Sequence, residues 1–183
     1  AIVPPVGAVL EVAPGPGFLS IELARRGLDV RAVDISRTFL EIAQRNAAAE
    51  GVQARFGLGN ASALPVGTAS VDFVVCRAAF KNFSEPVEAL AEMRRVLRPG
   101  GTALVIDLRR DVSMSEITQH LSAMDVSWLN RWFMHFTFRN MLIKRAYLPD
   151  EMRRMAAELK PPSFEEGFAK ITVVRVKKKE QAG

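Results

Sequence analysis

The sequence predicts an α/β domain built on a doubly wound, mostly parallel sheet, with a helical insertion after its fifth strand. Three observations carry that prediction. Short β-rich and helix-patterned stretches alternate up to residue 108; a Gly-rich turn closes the first strand; and an aspartate closes the second. Parallel strands need crossover connections, and the intervening helices supply them.

Ala8 to Val12 is apolar except at Glu11 and runs into Pro14-Gly15-Pro16-Gly17, as a buried strand entering a tight turn does. Phe18 to Arg26 carries apolar residues at helical spacing and stops at Gly27. Asp29 to Val33 is the second strand, and Ser36 caps a helix through Ala49 that Gly51 closes. Val52 to Phe56 reads as strand three, and Val71 to Cys76 as strand four after a loop over 57–70. Ser84 is the expected cap of the next helix, with Glu85 and Pro86 in its first turn and Arg94, Arg95 and Arg98 in its last. Pro99-Gly100-Gly101 stops that helix, and Thr102 to Leu108 is strand five. Strand-like alternation then ceases, and helices are predicted over 112–124, 126–145 and Pro149 to Leu159. After Pro161-Pro162, the stretch from Phe164 to Lys177 should form a last strand or a hairpin.

A chain of 183 residues that is 49% hydrophobic and 25% charged is long enough for a single domain with its own core. One cysteine and two histidines are too few for a structural zinc site or an internal disulfide, and no metal is expected. No targeting signal and no apolar run long enough to span a membrane is apparent, so a cytoplasmic protein is expected. The net charge of +5 would suit nucleic acid if it were spread over the surface. It is not spread: residues 109–145 hold six basic and three acidic residues, the rest of the excess is in Lys177-Lys178-Lys179-Glu180, and the remainder is neutral. Nucleic acid is therefore a poor fit.

Small residues at 13, 15 and 17 let a ligand approach the backbone, and amides at the start of the following helix can bind an anionic group. Asp34, at the end of the second strand, stands where a doubly wound fold places an acceptor for a ribose hydroxyl pair. Dinucleotide binding asks for G-x-G-x-x-G/A, and Gly15, Gly17 and Ser20 meet it imperfectly. An NAD(P)-dependent reductase is thus an alternative on this turn alone.

Five stretches in order carry a closer resemblance: Glu11-x-Ala13-x-Gly15-x-Gly17, Asp34, Gly59-Asn60-Ala61-Ser62-Ala63-Leu64-Pro65, Val71 to Arg77, and Leu97-Arg98-Pro99-Gly100-Gly101. Together they resemble the class I S-adenosylmethionine-dependent methyltransferases, in the type 11 group that includes quinone-biosynthesis enzymes. That resemblance implies a Rossmann-like sheet with S-adenosylmethionine as cofactor and S-adenosylhomocysteine as product. It implies that the turn from Ala13 through Pro14 and Gly15 to Gly17, with Glu11 before it, meets the methionine half of the cofactor. Asp34 would hold the ribose, Ile35 would pack on the adenine, and Asn60 and Ala61 would meet the adenine edge. The backbone near Cys76 and Arg77 would face the methionine ammonium and the methyl donor. Ala13 replaces the commoner first glycine, at little cost if its φ is negative; Asn60 replaces a frequent aspartate. A histidine pair frequent after strand four is absent, the chain reading Phe80-Lys81-Asn82-Phe83. Helices usual before the first strand have only about seven residues in their place.

The insertion, about 109–147, carries the question of the acceptor. It contains Trp128, Trp132, His120 and His135, and in its second helix Trp128, Trp132 and Phe136 alternate with Arg131, His135 and Arg139 at i+4 spacing. One reading packs the aromatics into the core and leaves the Arg and His stripe in water. The other makes the segment a lid: Trp128 and Trp132 enclose a small hydrophobic acceptor while Arg131, His135 or Arg139 meets an anionic group on it. In-line methyl transfer needs positioning first and a general base only for some acceptors. Candidates for such a base or orienting group are His120, His135, Lys81 and Tyr147, with Asp107 weaker; an exposed loop lysine such as Lys81 is ordinarily just solvated. The positive charge here would serve an anionic acceptor or, with weak peripheral contact, an anionic membrane edge that supplies it. A protein that binds the cofactor without an acceptor site is a further alternative.

Overall fold

The computed structural model describes residues 7–122, 127–159 and 170–173, the last four and Glu116 and His120 by backbone alone. Six strands form one sheet in the order β3-β2-β1-β4-β5-β6, every pair parallel. The strands are β1 (Ala8–Val12), β2 (Asp29–Asp34), β3 (Arg55–Leu58), β4 (Val71–Arg77), β5 (Leu97–Ile106) and β6 (Lys170–Val173). The helices are α1 (Phe18–Arg25), α2 (Arg37–Ala49), α3 (Pro86–Val96), α4 (Met114–Ser122), α5 (Trp128–Thr137), α6 (Ile143–Arg145) and α7 (Pro149–Glu158). The winding reverses between β1 and β4, and a sheet of this kind opens a crevice beyond the carboxyl ends of its strands at such a reversal.

Period-two alternation sorts the central strands onto two cores. Leu10, Val12, Val74, Cys76, Ala103 and Val105 pack with Leu90 and Met93 of α3 and Met152 of α7. Val9, Phe73, Val75 and Leu104 face the opposite way, onto Leu23 of α1 and Leu28. Both faces of the sheet are thus covered, which is why Phe73 to Cys76 of β4 read as an unbroken apolar run rather than an alternating one.

Several boundaries differ from those read in the sequence, each for a local reason. Strand three starts at Arg55, not Val52, because Val52 N–H donates to Ala47 O at 3.1 Å and Gly51 turns left-handed (φ 65°), so these residues finish α2. Ser36 caps α2 as expected, its hydroxyl accepting from Phe39 N–H at 3.3 Å. Ser84 does not cap α3; Glu85 holds that position without a side-chain bond to the helix amides, its carboxylate instead accepting from the Ser62 hydroxyl. Strand five begins directly after α3, where Leu97 pairs with Val71, and resumes at Thr102 opposite Phe73 after a bulge with Gly100 at φ 79°. It ends at Ile106 rather than Leu108, because the Asp107 side chain takes the Leu108 N–H at 2.7 Å. The helix expected over 126–145 is α5, capped by Ser127, followed by a π-helical turn at Phe138–Leu142 and then α6. The described part of the last predicted strand, Lys170–Val173, pairs with β5; the rest of Phe164 to Lys177 lies outside the described residues.

The two ends of the insertion are tied to each other and to α7. Arg109 and Tyr147 form a parallel bridge, Arg110 Nε donates to Ala146 O at 2.8 Å, and Arg110 pairs with Glu151 of α7 at 2.7 Å. Ile117 and Leu121 bury one side of α4, whereas α5 buries no residue.

Candidate functional site

At the carboxyl end of β1 the backbone turns left-handed at Ala13 (φ 58°), Gly15 (φ 55°) and Gly17 (φ 83°). The three are not equivalent. A Cβ on Gly17 would lie 2.8 Å from Ala43 Cβ, so this glycine lets α1 pack on α2. A Cβ on Gly15 would meet nothing within 4 Å; this residue faces open space and can admit a ligand. Ala13 takes the strained conformation with a side chain present, contrary to the negative φ that would have made the glycine's replacement cheap. Pro14 is buried, its carbonyl accepting the Gly17 N–H at 3.1 Å.

Two carboxylates flank this turn. Glu11 is 2% exposed and accepts a hydrogen bond from the Ser20 hydroxyl of α1. Burial pushes its carboxyl above the usual range, against the opposing pull of the Ser20 bond and the Arg77 charge. Asp34 is 6% exposed; its Oδ2 accepts Gly15 N–H at 3.1 Å and its Oδ1 accepts Ser36 N–H at 2.9 Å. These bonds orient the carboxylate and fasten the first turn to the end of β2.

A cleft opens above them. Ala13, Asp34, Ile35, Asn60 and Ala61, picked from separate stretches of the sequence, all line it. Its opposite wall, Asn82, Phe83, Ser84 and Glu85, was not anticipated, because nothing in those residue types marks a ligand contact. Ile35 stands 74% exposed at its edge, an apolar surface without cover. Asn60 Oδ1 accepts Ser62 N–H at 3.2 Å, closing an Asx turn that shapes this wall. Glu11, Pro14, Gly15, Gly17, Cys76 and Arg77 do not line this cleft; they surround the ends of β1 and β4 beside it. Cys76 is fully buried in the sheet, and burial raises its thiol far above the ordinary range, so it offers backbone but no thiolate.

On the far side of β4, Lys81 is not the solvated loop residue its surroundings suggested. Its side chain is 6% exposed and pairs with Asp107 at 2.8 Å, while Nζ also donates to Ala78 O at 2.7 Å. Asp107 Oδ2 accepts Lys81 N–H at 3.0 Å, so one carboxylate fixes both ends of the lysine. The loop after β4 is thereby tied to the end of β5, with Ala78 held at φ 58°. Next to it, Phe80 packs against Phe83 and Tyr147, with ring centroids 5.4 and 5.8 Å apart. Asp107, Arg109 and Tyr147 line a small hollow over Phe80.

The helix α5 overturns the reading that placed its aromatics in the core. Trp128, Trp132 and Phe136 are 78%, 61% and 51% exposed, and Trp132 stacks on Phe136 at 5.9 Å. The half-buried positions are Arg131 and His135; Arg139 is exposed. None of the described residues of the insertion lines the cleft beside Asp34. The side chain of His120 lies outside the described ones. No cluster of metal-ligating side chains occurs among the described residues.

A parallel sheet reversing between β1 and β4, a left-handed turn at that reversal and a carboxylate at the end of β2 define a doubly wound α/β domain of the nucleoside-binding class. A family model described as a methyltransferase domain, type 11, matches residues 10–105, just over half of the chain. The chain belongs to that family, whose cofactor is S-adenosylmethionine. Over 101 residues it is 41% identical to a demethylmenaquinone methyltransferase of Deinococcus radiodurans, a match covering 54% of this chain and 42% of that one. A protein of the same name from Thermus thermophilus is 38% identical over 101 residues, covering 54% and 46%. The matches thus span less than half the length of these relatives. A solved structure described as a putative S-adenosylmethionine-dependent methyltransferase of Methanococcus maripaludis shares the fold, with a TM-score of 0.67 at 22% identity over 94% of this chain and 80% of that one. The residues present suit the cofactor: Gly15 faces open space, Asp34 is oriented by two amides, and the cleft between Ile35 and Asn60 has an apolar wall and a polar edge.

Proposed function

We propose that the protein transfers a methyl group from S-adenosylmethionine to a small, partly hydrophobic acceptor. The observation that carries this reading is the convergence of Ala13, Asp34, Ile35, Asn60 and Ala61 on one cleft at the reversal point of the sheet. The cofactor supplies an electrophilic methyl group on a sulfonium, and S-adenosylhomocysteine is the leaving product. Asp34 holds the ribose hydroxyls, each charge-assisted bond contributing on the order of 1.5–3 kcal/mol. Ile35 covers the adenine, and Asn60 with the backbone of Ala61 reads its edge. Glu11 and the turn from Ala13 to Gly17 hold the methionine end, with the backbone of Cys76 and Arg77 opposite.

The acceptor sits over the ends of β4 and β5, where Phe83 and Tyr147, packed on the buried Phe80, offer aromatic surface. Lys81 and Asp107 hold the loop that presents it. The names of the Deinococcus and Thermus relatives make a quinone nucleus the first acceptor to try. Arg131, His135 and Arg139 of the insertion are the groups that would meet an anionic substituent, and His120, His135 and Tyr147 are the groups available as base.

Two experiments test this reading. S-adenosylhomocysteine at about 100 times its dissociation constant should stabilise the fold by about 2.7 kcal/mol. A shift with NADH and none with S-adenosylhomocysteine would replace the proposal with a dinucleotide-dependent reductase. Labelled cofactor incubated with a metabolite extract should then mark a small organic product; binding without any labelled product would leave a cofactor-binding protein instead.

A further inference from the structure

The helix α5 is amphipathic with its polarity turned inside out. At about 100° per residue, Trp128, Leu129, Trp132, Phe133 and Phe136 fall within one arc of roughly 140°. All five are more than half exposed, between 51% and 78%. The half-buried side of the helix carries Arg131, Met134 and His135. A helix that leaves its apolar face in water is incomplete, since the same face would be buried in an ordinary domain.

The surroundings indicate what completes it. From residue 126 to residue 149 there is no Asp or Glu, while Arg139, Lys144 and Arg145 are exposed just beyond the aromatic face. Among the described residues, none of these three side chains is in an ion pair. Tryptophan and phenylalanine beside exposed basic residues match the two layers of an anionic bilayer surface, with the acyl boundary below and phosphate headgroups above. No described helix is long and apolar enough to cross a membrane, so the fit is to a surface and not to a span.

We propose that the outward face of α5 docks the protein on an anionic phospholipid surface, the aromatics entering the headgroup boundary and Arg139, Lys144 and Arg145 meeting the phosphates. The proposal stands apart from the methyl-transfer reading, since lipid binding is measured without cofactor or acceptor. It also has a built-in reporter: both tryptophans of the chain lie on this face.

The test titrates the full chain with vesicles of phosphatidylcholine and of a phosphatidylcholine–phosphatidylglycerol mixture. Tryptophan emission should shift to the blue with the anionic vesicles and become protected from a water-soluble quencher. Partition should be on the order of 10- to 100-fold tighter than to neutral vesicles, and should weaken with salt. The Leu129→Ser/Phe133→Ser variant keeps both reporters and should lose most of the binding. Lys144→Gln with Arg145→Gln should remove most of the anionic preference. Unchanged thermal melting of the variants shows that the fold persists. Unchanged emission at saturating lipid overturns the proposal. So does a blue shift that tracks protein concentration without lipid and accompanies a doubled sedimentation mass, which would assign the face to a second copy of the chain. Binding of the serine variant as tight as that of the wild type overturns it too.

Discussion

Helices α1 and α5 are both short and both amphipathic, but α1 buries Ser20, Ile21 and Leu23 beneath the sheet while α5 buries none of its ten residues. The first is fixed by its neighbours: Gly17 lets it approach Ala43 of α2, and Ser20 bonds to Glu11 of β1. The second is fixed locally, by the Ser127 cap, and at a distance by the bridge between Arg109 and Tyr147. Helix stability in proteins comes mostly from packing of an apolar face. The cofactor half therefore carries its own support, whereas the insertion holds an apolar face in reserve for contact outside the described structure.

The largest expected break in that contrast lies at the seam between the two regions. Replacing Asp107 with Ala leaves Lys81 buried with only a carbonyl partner, and should cost about 3–5 kcal/mol in a urea unfolding experiment. A loss below about 1 kcal/mol would mean that the pair is open to solvent. Gly17→Ala comes next, at about 2–4 kcal/mol, since it combines a left-handed backbone with a contact of 2.8 Å on Ala43. The same variant should abolish the thermal shift with S-adenosylhomocysteine, because α1 and its turn can no longer sit in place.

Glu11→Gln separates stability from binding. The folded carboxyl lies above its ordinary value of 4.5, so the native state holds that proton more tightly than the unfolded chain does. Wild type should therefore lose stability relative to the variant as pH rises from about 4.5 through the raised value, and the gap should be full at neutral pH. Melting curves across that window check the slope, and a weaker response to S-adenosylhomocysteine would tie Glu11 to the methionine end. Ala13→Gly should stabilise the protein by about 1 kcal/mol, relieving the positive φ, with cofactor binding retained. The smallest effect belongs to the insertion: Trp132→Ala should change unfolding free energy by no more than about 0.5 kcal/mol, as for a surface side chain. A large loss there would show that α5 is supported from within after all.

The cofactor half was legible because its signals are local. Glycines punctuate it, strands alternate, and each predicted contact of the cleft sits at the end of a strand. What was not legible depended on long-range partners. Helical spacing groups Trp128, Trp132 and Phe136 on one face, but it does not say which face turns inward. Lys81 looked solvated because its partner, Asp107, is 26 residues further on and belongs to another strand's end. Ala13 looked harmless because an alanine with positive φ is rare, and composition carries no trace of backbone angle.

Cys76 has a consequence of another kind. It is the chain's sole thiol, fully buried on β4, one of the two central strands, between β1 and β5. Its side chain packs in the core beneath α3 and α7, so a thiol reagent can reach it only when that helical cover lifts, and its labelling rate clocks the opening of this core. Cofactor bound as proposed, across the ends of β1, β2 and β4, should slow that clock, while anything that touches only α5 should leave it running at the same speed.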